Sequence, residues 1–324
     1  MELVEKMLGG KKQALARLIT IVERDTNDVP EIMRLIHDHI GRAYSVGLTG
    51  PPGGGKSTLV DRITAVLRKK DLGVGVLAID PTSPFSGGAV LGDRIRMQQH
   101  YLDNEVFIRS MATRGSHGGL PSCTRAAMKL LDAFGKDYIL LETVGVGQTE
   151  LDIMETADTV VVVLVPEAGD AIQTMKAGLM EIADIFVVNK ADRDGAEALV
   201  NELENMLLLK SKQSSWKIPV LLTQAANDVG IEELCRAIAE HHKALEDSGE
   251  LAMRRKKQRR NEFLQSIEQE ISQYLQKVIG SDEDLAAMLL KVECGELDPC
   301  SAASDILRSR VLLHRWLSEV EAQG

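Results

Sequence analysis

Aromatic residues are scarce, at 3% of 324 residues: five Phe, four Tyr and two Trp. A core must therefore be built mostly from aliphatic side chains. Cysteine is equally sparse. Cys123, Cys235, Cys294 and Cys300 are scattered and form no CxxC pair, so neither a disulfide framework nor a zinc site is indicated. A reducing cytoplasm suits such a chain. No apolar run approaches the roughly 20 residues of a membrane span. The start, Met1-Glu2-Leu3-Val4-Glu5-Lys6, lacks a signal-peptide pattern. A cytoplasmic protein with no membrane partner is expected. Positive charge is in deficit, with 38 Lys and Arg against 48 Asp and Glu and a net charge of −10. That argues against nucleic acid as the main partner. The remaining composition, 44% hydrophobic and 27% charged, is that of an ordinary globular chain, long enough for one large domain with appendages.

Against this background one stretch stands out: Gly50-Pro51-Pro52-Gly53-Gly54-Gly55-Lys56-Ser57-Thr58. It is GxxxxGK[ST], the phosphate-binding P-loop pattern. Ser45 to Thr49 before it reads as a short buried strand. Leu59 to Leu67 after it reads as a helix, with Leu59, Ile63, Val66 and Leu67 on one side. The glycines thus fall in a strand-to-helix turn, where backbone N–H groups can wrap a phosphate at the positive end of a helix. Lys56 is placed for the β- and γ-phosphates, Ser57 for Mg²⁺, and Thr58 for a further phosphate contact. The alternative is a glycine-rich turn that binds nothing.

Residues 45–49, 74–79, 106–109, 138–142, 159–165, 185–188 and 218–222 are candidate strands. Several are continuous β-branched runs, as in Thr159 to Val165, suited to a parallel sheet covered on both faces. Helical stretches such as 122–134, 194–209 and 231–245 lie between them. The alternation predicts an α/β fold, a doubly wound and mostly parallel sheet, with ligands at the carboxyl ends of its strands.

Three motifs fall at such ends. Asp80 closes strand 74–79 and opens a Gly/Ser/Pro-rich stretch that runs to Asp93. These carboxylates can hold Mg²⁺ or orient an attacking water; equally, Asp80 and Asp93 can be caps. Glu142 follows Tyr138-Ile139-Leu140-Leu141 at the Walker-B position and leads into Thr143-Val144-Gly145-Val146-Gly147-Gln148. Glu142 can hold Mg²⁺ through water, and Gly145 lets the backbone approach a γ-phosphate; the alternative for Glu142 is a buried, paired acid. No Gln directly follows Gly145, so Gln148 is the candidate for positioning water, with a different loop geometry and slow intrinsic hydrolysis. Asn189-Lys190-Ala191-Asp192 follows Ile185 to Val188. Asp192 can accept from both N1–H and N2–H₂ of guanine, a donor pair that adenine lacks. Lys190 packs along the nucleotide and Asn189 ties loops together. Thr223-Gln224-Ala225, after strand 218–222, occupies the place of a second base-contacting loop, through Gln224 and Ala225.

The flanks are helical. Leu15, Leu18, Ile19 and Val22 form a stripe, and Asp28 is expected to cap a second helix with Pro30 in its first turn, ended by Gly41. His37 and His39 read as surface or packing residues. Domains are expected at 1–42 (helical N-terminal extension), 43–247 (P-loop domain) and 248–324 (helical arm). Arg254-Arg255-Lys256-Lys257-Gln258-Arg259-Arg260 reads as a solvated helix face or a contact for an acidic partner. The 3-4-3-4 stripe Leu264, Ile267, Ile271, Tyr274, Val278 can pack on the body or on a second subunit. Two further helices are expected near 283–294 and 299–321.

The arrangement resembles the MeaB/ArgK/MMAA family of P-loop GTPases over nearly the whole chain. The marks are Gly50 to Thr58, Asp80-Pro81-Thr82-Ser83, Leu91-Gly92-Asp93, Met111-Ala112-Thr113-Arg114-Gly115, Glu142 to Gln148 and Asn189 to Asp192. The resemblance implies a homodimeric GTPase chaperone of an adenosylcobalamin-dependent acyl-CoA mutase such as methylmalonyl-CoA mutase. GTP binding and hydrolysis then gate cofactor loading and protect the mutase. It also implies that Asp80, Asp93 and Glu142 surround Mg²⁺, and that Asp170 and Lys176 belong to a third switch, although Pro166-Glu167-Ala168 replaces its expected glycine-rich start. No cobalamin-binding signature is present, so cobalamin is expected on the partner. Competing readings are a kinase-like or transport-linked P-loop protein and a metal-insertion GTPase. The guanine motif opposes an ATP user, and no clustered Cys/His site supports metal insertion.

Overall fold

The computed structural model describes residues 2–24, 26–80, 97–112, 122–143, 149–166, 181–210 and 216–308. Among them the helices are α1 (Glu2–Leu8), α2 (Lys12–Glu23), α3 (Val29–Ile36), α4 (Lys56–Arg68), α5 (Ser122–Ala133), α6 (Thr149–Met154), α7 (Ala196–Lys210), α8 (Ile231–Asp247), α9 (Glu250–Ser281), α10 (Glu283–Glu293) and α11 (Pro299–Arg308). The strands are β1 (Tyr44–Thr49), β2 (Val74–Asp80), β3 (Val106–Ala112), β4 (Tyr138–Glu142), β5 (Thr159–Leu164), β6 (Ile185–Asn189) and β7 (Val220–Thr223).

The seven strands form one sheet in the order β3-β2-β4-β1-β5-β6-β7, and every pairing is parallel. Helices cover both faces, so the fold is the doubly wound α/β sheet that the β-branched runs call for. The period of two divides each strand between two cores. In β5, Val160, Val162 and Leu164 join the core under the N-terminal helices, α5 and α7. Val161 and Val163 join the core under α4 and α8. Every residue of β5 is buried, and each such aliphatic side chain contributes about 1.5–3 kcal/mol of transfer free energy.

Two compact units are present, residues 1–255 and 256–324. The first contains the sheet and also α1 to α3, whose Leu15, Leu18, Ile19 and Val22 are buried in the same core as α5. Polar links reinforce that packing. Lys12 Nζ donates to the carbonyls of Asp103 and Val106 at 2.8 and 2.9 Å, and Arg109 pairs with Glu23. This pairing accommodates Arg109 within β3, which runs on to Ala112 where the sequence suggests an end at 109. Asp28 precedes α3 with helical backbone angles and no side-chain capping bond, unlike the expected cap. In the second unit α10 is capped by Asp282, which accepts from the N–H groups of Asp284 and Leu285 at 2.9 and 3.1 Å. Among the described residues no helix is long and apolar enough to cross a membrane.

The basic run differs from a solvated face at its start. Arg254 Nη1 and Nη2 both donate to Asp184 Oδ1 at 3.1 Å. Arg255 grips Asp158 in bidentate fashion, Nε to Oδ1 and Nη2 to Oδ2, each at 2.9 Å. Its Nη1 and Nη2 also reach the carbonyls of Gly41 and Ala43. Asp158 and Asp184 stand immediately before β5 and β6, at the amino ends of these strands. Beside them His241 is fully buried. Its Nδ1 lies 2.8 Å from Thr159 Oγ1, which is 2.5 Å from the Tyr44 hydroxyl. Burial, then the neighbouring Arg254 charge, lower the His241 pKa from 6.5 to about 4.

Candidate nucleotide site at the carboxyl ends of the strands

β1 delivers the chain to Gly50, whose φ of 136° lies in the range that L side chains rarely adopt. A Cβ here would lie 2.0 Å from the Val163 carbonyl oxygen of β5, so only glycine lets the loop pass so close to the neighbouring strand. The loop turns through Pro51, whose carbonyl accepts from Gly54 N–H at 3.1 Å. It enters α4 at Gly55, φ 88°, where a Cβ would lie 2.3 Å from Asn189 Nδ2. The pattern's glycines are therefore required by two different strands, β5 and β6. Lys56 opens α4, and its buried Nζ spans the loop to the carbonyls of Gly50 and Pro51 at 2.8 and 3.0 Å. Pro52 and Gly53 are exposed at the loop's rim and Thr58 is half-buried.

Ser57 Oγ donates to Glu142 Oε1 at 2.6 Å. The hydroxyl of the P-loop and the carboxylate at the end of β4 are thus brought together, both buried. Two hard oxygen donors, with the remaining positions open to water and phosphate, fit Mg²⁺, which is seldom held by a full protein cage. Among the described residues no group of three His, Cys, Asp or Glu side chains able to hold a metal is present. Thr143, just beyond Glu142, donates its N–H to the Leu48 carbonyl at 3.1 Å. Its hydroxyl lies 3.0 Å from that of Thr49, which ties the ends of β4 and β1.

Asn189 joins three loops. Its Nδ2 donates to the Gly54 carbonyl at 2.9 Å. Its Oδ1 accepts from Thr223 Oγ1 at 3.0 Å and from Ala225 N–H at 3.1 Å. The P-loop, the end of β6 and the segment after β7 are thereby locked through one side chain that is 2% exposed. Lys190 follows with φ of 58°, a turn that leaves Asp192 exposed beyond the strand end. Asp80 ends β2, paired with Ala112 and separated from β1 by β4. Asp93, Gly145, Gln148, Arg114, Asp170 and Lys176 lie outside the described residues.

One contact at this end was not legible in the sequence. Asp61, in α4 one turn beyond Ser57, is 5% exposed. It accepts from Gln99 Nε2 at 2.6 Å and lies 3.3 Å from His100 Nε2. Burial pushes its pKa up, but the bonds from His100 and Gln99 outweigh that and hold it below the usual carboxylate value. An Asp and a His separated by 38 residues carry no pairing signal.

A P-loop opening from the central strand of a parallel sheet, with an acid at the next strand's end and an NKxD segment beyond, defines a P-loop G domain. Comparison with known proteins gives the family. Residues 15–279 match the family described as methylmalonyl Co-A mutase-associated GTPase MeaB, and the chain belongs to it. A putative GTPase of Pyrococcus abyssi is 52% identical over 317 residues, 95% of each chain. The mouse methylmalonic aciduria type A homolog, mitochondrial, is 32% identical over 94% of this chain and 77% of its own. A crystal structure described as LAO/AO transport system kinase superposes with a TM-score of 0.71 at 26% identity, covering 95% of this chain and 97% of the other.

Proposed function

We propose that this GTPase gates adenosylcobalamin loading into an acyl-CoA mutase such as methylmalonyl-CoA mutase and protects that enzyme. GTP is hydrolysed to GDP and phosphate, slowly in the absence of the partner. Cobalamin stays with the mutase. The chain works in the cytoplasm as a homodimer joined through the helical region from 248 onward. The observation that most supports a guanine-nucleotide switch is the Asn189 junction, which makes the P-loop and the base-side loops one mechanical unit. The client follows from the family's description and from the mouse relative's name.

In this reading the N–H groups of residues 50–58 and the Lys56 ammonium hold the β- and γ-phosphates and stabilise charge that develops there. Ser57 and Glu142 hold Mg²⁺, with Asp80 and Asp93 completing its surroundings or orienting water. Bound there, Mg²⁺ supplies neutralisation of the phosphate oxygens. Ser57 Oγ and Glu142, which meet at 2.6 Å, are the two side chains that would hold the ion, Glu142 through a water. Gly145 senses the γ-phosphate and Gln148 positions the nucleophile. Asp192 accepts from the guanine edge, Lys190 packs along the nucleotide, and Gln224 and Ala225 border the base. Asp192→Ala tests the base assignment: GTP-over-ATP discrimination should fall by a factor of roughly 100 or more, since the guanine donor pair loses its acceptor. Unchanged discrimination refutes it.

A further inference from the structure

Between β2 and β3 the chain meets α4 at a 3₁₀ turn, Gln98–His100. Met97 leads into it, buried in the core that also holds Leu59, Val60 and Ile63 of α4. With about three residues per turn, Met97 and His100 face the same way, and His100 is buried too. Gln99 and His100 both meet Asp61. Its Oδ2 accepts from Gln99 Nε2 at 2.6 Å. His100 Nε2 lies 3.3 Å from its Oδ1 and 3.2 Å from its carbonyl oxygen. Arg62 Nε lies 3.8 Å from Asp61 and 3.2 Å from Asp228. An apolar side chain, as at Leu59 and Ile63, would fill this place without taking a charge out of water. A carboxylate adds direction: it fixes one amide and one imidazole at a single level of the helix.

The placement along α4 gives this contact its use. Asp61 follows Ser57 by one helical turn, so the two share a face of α4 and stand about 6 Å apart along its axis. Ser57 Oγ is in turn 2.6 Å from Glu142. In the chain, Asp93 lies between Asp80 and the turn at Gln98–His100. At one end of that stretch Asp80 is fixed in the sheet, paired with Ala112. The end on α4 is held through side chains, Met97 in the core and Asp61 on Gln99 and His100. We infer that Asp61 is a positioning residue for GTP hydrolysis. By holding Gln99 and His100, it sets the chain that carries Asp93 at a fixed level relative to Ser57, on the helix that also carries Lys56. This rests on the reading that puts Asp93 beside Mg²⁺. The Asn189 junction holds the loops that bind the nucleotide, and Asp61 acts on the metal side of the same helix. Loosening its contact therefore slows turnover and raises the Mg²⁺ requirement while GDP stays bound through the P-loop and the base-side loops.

The test uses the full chain with Gln99→Glu, and with Gln99→Glu plus Asp61→Asn. Gln99 is exposed, so its replacement leaves the core in place, and urea unfolding reports that each variant folds. Gln99→Glu sets a carboxylate against Asp61 where an amide donated. It should lower kcat for GTP by about tenfold or more, since a misplacement of about 1 Å suffices for losses of that size. The Mg²⁺ concentration for half-maximal turnover should rise. Affinity for GDP, read by mant-GDP fluorescence, should stay as in the wild type. Adding Asp61→Asn exchanges amide and carboxylate between the two positions. The hydrogen bond then returns with donor and acceptor reversed, and kcat should recover, which marks the two residues as coupled. Turnover indifferent to Gln99→Glu overturns the positioning role and leaves the GTPase reading standing. A loss of kcat that the double replacement does not restore overturns it as well. So does a loss of GDP affinity in step with kcat, the mark of a merely structural contact. Wild-type turnover that needs no Mg²⁺ overturns the reading beneath it.

Discussion

Replacing Asn189 by Ala removes three hydrogen bonds at once and tests whether one side chain welds the nucleotide loops. The Gly54 carbonyl, the Thr223 hydroxyl and the Ala225 N–H each lose a partner at 2.9, 3.0 and 3.1 Å. Thr223 is fully buried and Ala225 is 3% exposed, so water does not replace the lost partner freely. At about 1 kcal/mol for each group left unsatisfied, and more where burial is complete, the loss is about 3 kcal/mol. Urea denaturation of the nucleotide-free protein should show it as a lowered midpoint with an unchanged slope. Affinity for GDP should fall by about tenfold or more, because both loops around the nucleotide lose their common anchor. Asn189→Asp should be no better, since it removes the donor to Gly54 and turns a carboxylate toward a carbonyl. A change in stability below about 0.5 kcal/mol with GDP affinity intact refutes the junction.

Other consequences follow from the same geometry. Gly50→Ala should destabilise the protein and abolish nucleotide binding, because its Cβ would meet the Val163 carbonyl at 2.0 Å and β5 cannot retreat; folding by calorimetry and binding by mant-GDP fluorescence check it. Arg255→Ala leaves Asp158, 2% exposed, with Ser45 as its remaining side-chain donor, and should cost about 3–5 kcal/mol in denaturant unfolding. His241, whose pKa falls from 6.5 to about 4 on folding, stays neutral in the fold while the unfolded chain binds a proton. Its stabilisation is complete above about pH 6.5 and is lost as pH drops toward 4, by about 3 kcal/mol in all. Asp184, with a pKa raised chiefly by burial, opposes this, so the His241 share is read as the difference between the stability–pH curves of wild type and His241→Gln; parallel curves contradict it.

Much of the site was legible because its residues obey local rules. A P-loop needs its glycines at fixed places between strand and helix, and Gly50 and Gly55 do meet β5 and β6 too closely for a Cβ. Glu142 and Asn189 end continuous apolar runs, so their position at strand ends could be read directly. The N-terminal helices were legible as helices, but not their seat in the same core as α5, since nothing local specifies which face of a sheet they cover. Arg254 and Arg255 were hidden in a run of like charges. The signal that could have found them is an Asp standing directly before each of two buried strands, Asp158 before β5 and Asp184 before β6, where an unpaired carboxylate would be costly. The Asp61–His100 contact depends on how two distant segments meet and has no counterpart in any local pattern.

The most direct measurement of the central claim is nucleotide turnover by the full chain, with GTP and with ATP, alone and with each adenosylcobalamin-dependent acyl-CoA mutase of the source organism. Slow GTP turnover, inert ATP and acceleration by one mutase are expected. GTP turnover indifferent to every mutase contradicts the client, and appreciable ATP turnover contradicts the guanine assignment at Asp192.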